Sequence, residues 1–421
     1  MKRVLLLLPT TGYRNDDFLA AANKLGVDIV AAADYCHQLA PSWGMPAVMA
    51  LQFDRPEQAA KTVLAEVEGP LDAVLAVDDS GAELAALLAE RLGLQGNPAR
   101  AVRMLRDKLA FRQLLREGNF PCPDFHHLRT GADLRELISE LAFPVVVKAR
   151  RLSASRGVIR ADDAQELERA VSRVRAIQSR ADRDAGELGL VIESFIPGFE
   201  YALEGTLERG QLTTLALFDK PDPLDGPYFE ETLYVTPSRL PAGIQGRIRS
   251  QVARACRRAG IQTGPVHAEV RVNAQGIWIL EIAARSIGGL CARVLKHLLG
   301  MSLEERILRT LLGEPAAAAV TIADERAAEA AAGVMMIPIA RRGVYQGLFG
   351  LTDARSVAGI TAVTITAEPG HIVAPPPEGA SYLGFLFARA ASPADAEAAL
   401  RIAHRRLHFI IRPEHPVIEW S

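Results

Sequence analysis

The sequence predicts a mixed α/β and α+β protein in three successive units: a doubly wound parallel α/β domain over residues 1–105, a larger unit of antiparallel sheets and helices over 106–313, and an α+β unit over 314–421. Three observations carry this. With 421 residues and 49% apolar content, the chain exceeds one ordinary domain and can bury several cores. Up to about residue 105, apolar runs alternate with amphipathic segments, the α/β pattern. Beyond that point, short alternating runs are separated by Gly, Pro and Asp turns, which is antiparallel in character.

In the first unit, the runs at 4–8, 27–33 and 73–77 read as buried parallel strands, and 16–24 and 80–91 as helices, the second capped by Ser80. The turn Pro9-Thr10-Thr11-Gly12 carries no G-x-G-x-x-G, so a nicotinamide cofactor is disfavoured. The second unit opens with one helix from about Val102 to Glu117, ended by Gly118. Strands follow at 144–149, 190–193, 200–206, 212–218, 266–272 and 277–282, with helices at 164–177 and 246–259 between them. The third unit starts with an Ala-rich linker after about Gly313 and ends in an amphipathic helix over 394–407.

Composition excludes several classes of function. The net charge of -2, with acidic and basic residues interleaved, leaves no basic stripe for nucleic acid. Cys36, Cys122, Cys256 and Cys291 have no paired spacing, so neither zinc nor a disulfide framework is indicated, and a reducing cytoplasm is expected. The apolar run after Lys2 and Arg3 is too short for a signal peptide, and Glu329 and Pro338 interrupt the Ala-rich region, so no membrane partner is expected.

The segment from Val266 to Ile282 reads as a hairpin through Asn273-Ala274-Gln275-Gly276. If Gly276 takes the left-handed position of a three-residue loop, Asn273 pairs with Ile277. Counting outward, Arg271 faces Ile279, Glu269 faces Glu281 and His267 faces Ala283, all on one side of the ribbon. Directly opposed carboxylates repel unless a cation neutralises them, and oxygen-only ligands favour Mg2+ or Mn2+. A surface ribbon with both carboxylates in water is the alternative. Arg285, four residues beyond Glu281, suits a structural salt bridge or a bidentate phosphate contact.

Lys148 ends a strand that reads as buried, a placement that asks for an anion such as phosphate, although strand-end lysines also snorkel to the surface. After it comes a small basic loop, Arg150 to Gly157, containing Ser155 and Arg156, whose amides could fold over phosphates. The corner Glu193-Ser194-Phe195-Ile196, followed by Glu200, suits an adenine and a ribose, or else is a β-arch with a solvated acidic face. Lys220 reads as part of a polar, Pro-rich mobile loop, and Lys108 as one cation on an amphipathic helix.

Taken in order, Lys108, Lys148 with its loop, Glu193 to Ile196, Glu200, Glu269, Glu281 and Arg285 resemble the ATP-grasp superfamily over about residues 100–312. His267-Ala268-Glu269 and the stretch from Glu281 to Gly289 look most like its L-amino-acid ligases and related carboxylate-amine ligases. The resemblance implies an ATP-grasp fold of two lobes clamping ATP. Lys108, Lys148 and the loop with Ser155 and Gly157 would bind the phosphates, Glu193, Phe195 and Ile196 would line the adenine, and Glu200 would hold the ribose. Glu269 and Glu281 would ligate Mg2+, Arg285 would steady the transferred phosphoryl group, and His267 and Lys220 would meet substrate or phosphate. Two departures stand out: Ala283 replaces an expected Asn, and the phosphate loop has few glycines.

The implied activity is ATP-dependent joining of a small acid, such as an amino acid, to an amine through an acyl phosphate with release of ADP. A homodimer is the family-level expectation. A biotin-carboxylase-like enzyme and a non-catalytic ATP-binding module are the rival readings.

Overall fold

A computed structural model describes residues 1–10, 12–34, 48–181, 188–314 and 331–414. Cys36, Thr11, Glu329 and the Ala-rich linker lie outside the described residues.

The first unit is a parallel sheet in the order Met49–Leu51, Asp28–Asp34, Arg3–Leu8, Ala73–Ala76. Leucines on successive positions of Arg3–Leu8 face opposite sides and are buried on both. Val4 and Leu6 pack with Phe18 and Ala21 of helix Asn15–Lys24, whereas Leu5 and Leu7 pack with helices Pro56–Glu66 and Asp79–Leu92. Covering both faces makes the layer doubly wound, as expected. The chain crosses to one side of Arg3–Leu8 for its second strand and to the other side for Ala73–Ala76. A switch point, where α/β sheets open a crevice, therefore lies between those two strands.

Asp78, not Ser80, caps helix Asp79–Leu92: its Oδ1 accepts from the Ser80 amide at 2.8 Å and the Ser80 hydroxyl at 2.5 Å. The helix expected over 102–117 is two helices, Ala99–Arg106 and Lys108–Glu117. Asp107 has extended backbone between them, and its carboxylate caps the second helix through the amides of Leu109 and Ala110.

Two antiparallel sheets follow. A four-stranded one, Phe125–Leu128, Leu190–Ser194, Val145–Ala149, Val158–Ala161, is covered by helix Ala164–Ala181 and forms a small lobe. An eight-stranded one begins at the hairpin and runs Gly276–Ala283, Gly264–Asn273, Phe199–Glu208, Gln211–Lys220, Leu233–Thr236, Ala331–Ile337, Gly384–Ala390, Ile360–Ile365. Helix Ala242–Ala259 packs on its hairpin end and helix Pro393–Arg405 on its other end. The sheet crosses the boundary expected near residue 313, because Leu233–Thr236 pairs with Ala331–Ile337. Apolar alternation in the third unit is thus completed by strands of the second, and a three-stranded sheet, Ile372–Val373, Gly343–Phe349, His408–Arg412, is appended to it. Among the described residues, no helix is long and apolar enough to cross a membrane.

Candidate active site

A cleft of about 990 Å³ lies where the small lobe, the hairpin end of the large sheet and the switch point of the N-terminal layer meet. Lys108, Lys148, Ser155, Glu193, Phe195, Ile196, Glu200, His267, Glu269, Glu281 and Arg285 all line it. Residues scattered over the sequence are therefore one site. Lys220 and Gly157 stand behind its wall.

Glu269 does pair with Glu281, and His267 with Ala283, but by a different register from the one expected. The turn is shorter, with Asn273 opposite Gly276, so Arg271 pairs with Trp278. A bulge at Leu280 then restores the count. The turn is short because the Asn273 side chain closes it: its Oδ1 accepts from the amides of Gln275 and Gly276 and from the Trp278 indole. Gly276 has a φ of 147°, which a residue with a Cβ rarely adopts.

Beside this pair lies a second acidic group. Carboxylate oxygens of Glu200, Glu231 and Glu269 fall within 4.8 Å of one another. Lys220, the last residue of strand Gln211–Lys220, fills their centre, 2.7 Å from Glu200, 2.5 Å from Glu231 and 2.8 Å from Glu269. Its side chain is 3% exposed. The expectation of a mobile, substrate-reaching lysine is thus corrected: in-strand placement and three carboxylates fix Lys220 as an internal counter-ion. Burial alone would lower its pKa, but the three carboxylates raise it well above the usual lysine value. Burial pushes the Glu231 carboxyl up to about 7 against the pull of Lys220, with Glu269 adding to the rise. Glu269 stays well below the usual range because Lys220 and His267 outweigh its burial.

His267 spans two carboxylates, with Nδ1 3.1 Å from Glu204 and Nε2 3.5 Å from Glu269. Burial alone would lower its pKa, but the bonds to Glu204 and Glu269 raise it to about 9, so it is an imidazolium at neutral pH. Fully buried Glu204 also accepts the Ile287 amide. With Lys220 holding the Glu200–Glu231–Glu269 group, the carboxylates that face the cleft from opposed positions are Glu269 and Glu281, an all-oxygen set that suits Mg2+. Arg285 donates from Nε to Asp79 at 2.8 Å, and its NH2 is 3.9 Å from Glu281. Burial opposes its charge, yet Asp79 and Glu281 raise its pKa.

At the other end of the cleft, Glu193 is 2% exposed and is held by Arg112, with Nε at 2.7 Å and NH2 at 3.1 Å, and by Lys148. Burial would raise its pKa, but these cations hold it down at about 2. Its side chain is therefore engaged by both cations and orients the Lys148 ammonium at the cleft. Lys108 donates to the Leu152 carbonyl at 2.5 Å, tying the first helical turn to the small loop. In that loop Ala154, Ser155 and Gly157 have φ of 55°, 56° and 62°, a left-handed run that bends it over the cleft. Gly157 supports the bend from behind, its amide donating to the Pro377 carbonyl at 3.0 Å. Arg156, whose Nε is buried without a hydrogen-bond partner, lines the cleft. Phe195 and Ile196 form the apolar corner, where Arg271 binds the Ile196 carbonyl at 2.6 Å and Glu200 at 3.1 Å.

Reading the sequence alone did not find Arg112, Glu204, Glu231, Asp79 or Arg14. Each works through a partner on another element, from 11 residues away for Glu231 to more than 270 for Arg14, so no local spacing marks it.

A family model described as an ATP-grasp domain matches residues 141–294, and one described as L-amino acid ligase C-terminal domain 2 matches residues 335–412. Carnosine synthase 1 of Gallus gallus is 29% identical over 235 residues, 53% of this chain and 25% of that protein. Alanine–anticapsin ligase of Bacillus subtilis is 23% identical over 313 residues, 69% of this chain and 66% of that protein. The chain thus spans from a quarter to just under two thirds of these relatives' length. The crystal structure of an L-amino acid ligase from Bacillus licheniformis superposes with a TM-score of 0.83 at 28% identity, covering 98% of this chain and 99% of that one. Residues 141–294 thus match an ATP-grasp domain, residues 335–412 match an L-amino acid ligase C-terminal domain, and nearly the whole chain is similar to a solved L-amino acid ligase.

Proposed function

We propose that this chain is an ATP-dependent carboxylate-amine ligase that joins an amino acid or related small acid to an amine, through an acyl phosphate, with release of ADP and phosphate. One observation carries the reading: a single cleft gathers Lys108, Lys148 and Arg285 around the opposed pair Glu269 and Glu281. Phosphoryl transfer needs positioning and charge neutralisation more than an enzyme nucleophile, and that is what these groups offer. The similarity to ligases supports the same conclusion.

Mg2+ or Mn2+, held by Glu269 and Glu281, would supply neutralisation of the ATP phosphates. Lys108 and Lys148 bind the polyphosphate, with Glu193 and Arg112 fixing the Lys148 ammonium. Phe195 and Ile196 take the purine. Both Glu200 oxygens are engaged by Lys220 and Arg271, but carboxylate oxygens accept more than one bond, which leaves capacity for ribose hydroxyls. His267 orients Glu269. Arg285 faces the charge on the phosphoryl group as the acid's carboxylate attacks, and the amine then displaces phosphate from the acyl carbon. The free thiols Cys122, Cys256 and Cys291 and the need for ATP favour the cytoplasm.

Purified protein given ATP, Mg2+ and pairwise combinations of amino acids tests this. ADP and phosphate are expected only with the right acid and amine, and Glu281→Gln abolishes their release. Release of AMP and pyrophosphate overturns the acyl-phosphate route, and ADP release with bicarbonate alone transfers the protein to the carboxylase class.

A further inference from the structure

The guanidinium of Arg285 is held from outside its own domain. Its Nε donates to Asp79 Oδ2 at 2.8 Å across 206 positions of sequence. Asp79 is the first residue of helix Asp79–Leu92, three positions past the end of strand Ala73–Ala76 at the switch point. Because Asp78 performs the capping, the Asp79 carboxylate is left to meet Arg285. The separation of 3.9 Å to Glu281 is too long for a hydrogen bond, so the guanidinium plane is set by two contacts: Asp79 at Nε and the neighbouring Ser286 carbonyl, which accepts from NH1 at 3.1 Å.

The following residues are pinned from the same domain. Arg14, 4% exposed, donates to the Ser286 hydroxyl at 2.6 Å and the Ile287 carbonyl at 2.7 Å, and its other terminal nitrogen pairs with Glu304 at 2.6 Å. The Ile287 amide in turn donates to Glu204. Three successive residues after the hairpin are thus anchored by N-terminal side chains, Ser286 and Ile287 by Arg14 and Arg285 Nε by Asp79.

We propose that Asp79 is a positioning residue for the reaction: from the N-terminal domain it sets where the Arg285 guanidinium sits over the transferring phosphoryl group. The task given to Arg285 rests on the ligase reading; the geometry does not. Without Asp79 the fork loses its anchor at Nε, keeps only the NH1 contact with the Ser286 carbonyl, and can turn about it toward Glu281. ATP affinity, which depends on Lys108 and Lys148, is left largely intact.

The test is a double-mutant cycle of Asp79→Asn in wild-type and Arg285→Lys backgrounds. Because misplacing a catalytic group by about 1 Å can cost about 100-fold, Asp79→Asn is expected to lower kcat about 10-fold while the KM for ATP changes less than about twofold. In the Arg285→Lys background the same substitution is expected to have no further effect. An equal fall in both backgrounds, or wild-type kcat for Asp79→Asn, overturns the proposal. If wild-type protein turns over no acid at all, the ligase reading fails separately. A crystal structure of Asp79→Asn, or of Asp79→Glu if the former does not fold, then decides the geometric claim: a displaced guanidinium upholds it and an unmoved one refutes it.

Discussion

Lys220 Nζ lies 2.8 Å from Oε1 of Glu269, and the same ammonium reaches Glu200 at 2.7 Å and Glu231 at 2.5 Å. This buried ammonium therefore sits among three carboxylates, of which Glu200 is also held by Arg271 and Glu269, a candidate metal ligand, also by His267. Removing one member of a buried ionic group leaves its partners under-compensated, Glu231 most of all, so Lys220→Met should lose about 3–5 kcal/mol of stability in urea unfolding. Mg2+ should raise the Tm of the variant more than that of wild type, by partly replacing the missing charge. An unchanged urea midpoint would show that Lys220 is not the counter-ion described.

Acid should act through Glu193. Its folded pKa of about 2 lies below the ordinary value of 4.5 because Arg112 and Lys148 prefer the carboxylate. A depressed carboxyl pKa adds stability that is present above pH 4.5 and is lost as pH falls through 2. The shift corresponds to something on the order of 3 kcal/mol. Urea unfolding at pH 7 and pH 3 should therefore show a steeper loss for wild type than for Glu193→Gln. Parallel losses would mean that the ion pairs contribute nothing across that window.

Gly157 has φ 62°, and an added Cβ would come within 3.0 Å of the Ala149 Cβ. Gly157→Ala should cost about 1–2 kcal/mol in backbone strain and displace the loop carrying Ser155 and Arg156. Affinity for a non-hydrolysable ATP analogue, measured by calorimetry, should fall about 10-fold. Gly131→Ala is the control, since its φ is 79° with nothing within 4 Å of the added Cβ. It should carry the strain without changing affinity; equal effects of the two substitutions would separate the loop from nucleotide binding.

Period-two alternation and turn residues were enough to read the longer strands of the first two units, the switch from parallel to antiparallel texture, and the facing of Glu269 and Glu281, but not Met49–Leu51, Phe125–Leu128, Val158–Ala161, Leu233–Thr236 or the individual strands of the third unit. That facing came out right although two local features were invisible: the Asn273 side chain shortens the turn by one residue, and the bulge at Leu280 takes the difference back. The break at Asp107 had a sequence signal, an Asp before an apolar helical run, but the apolar period continues on both sides of it. Lys220 was misread because the Pro-rich segment after it looks mobile, whereas its environment comes from Glu200, Glu231 and Glu269 on other segments. The shared eight-stranded sheet was hidden for the same reason: pairing between Leu233–Thr236 and Ala331–Ile337 leaves no mark on either strand alone.

If the acid's carboxylate is phosphorylated, one of its oxygens must leave with the phosphate. The protein, ATP, Mg2+ and an amine are incubated with amino acids labelled with 18O in the carboxyl group, and the phosphate released is analysed by mass spectrometry. One 18O is expected per inorganic phosphate formed, in step with ADP and amide. Label appearing in AMP, or phosphate free of 18O while amide accumulates, would contradict it.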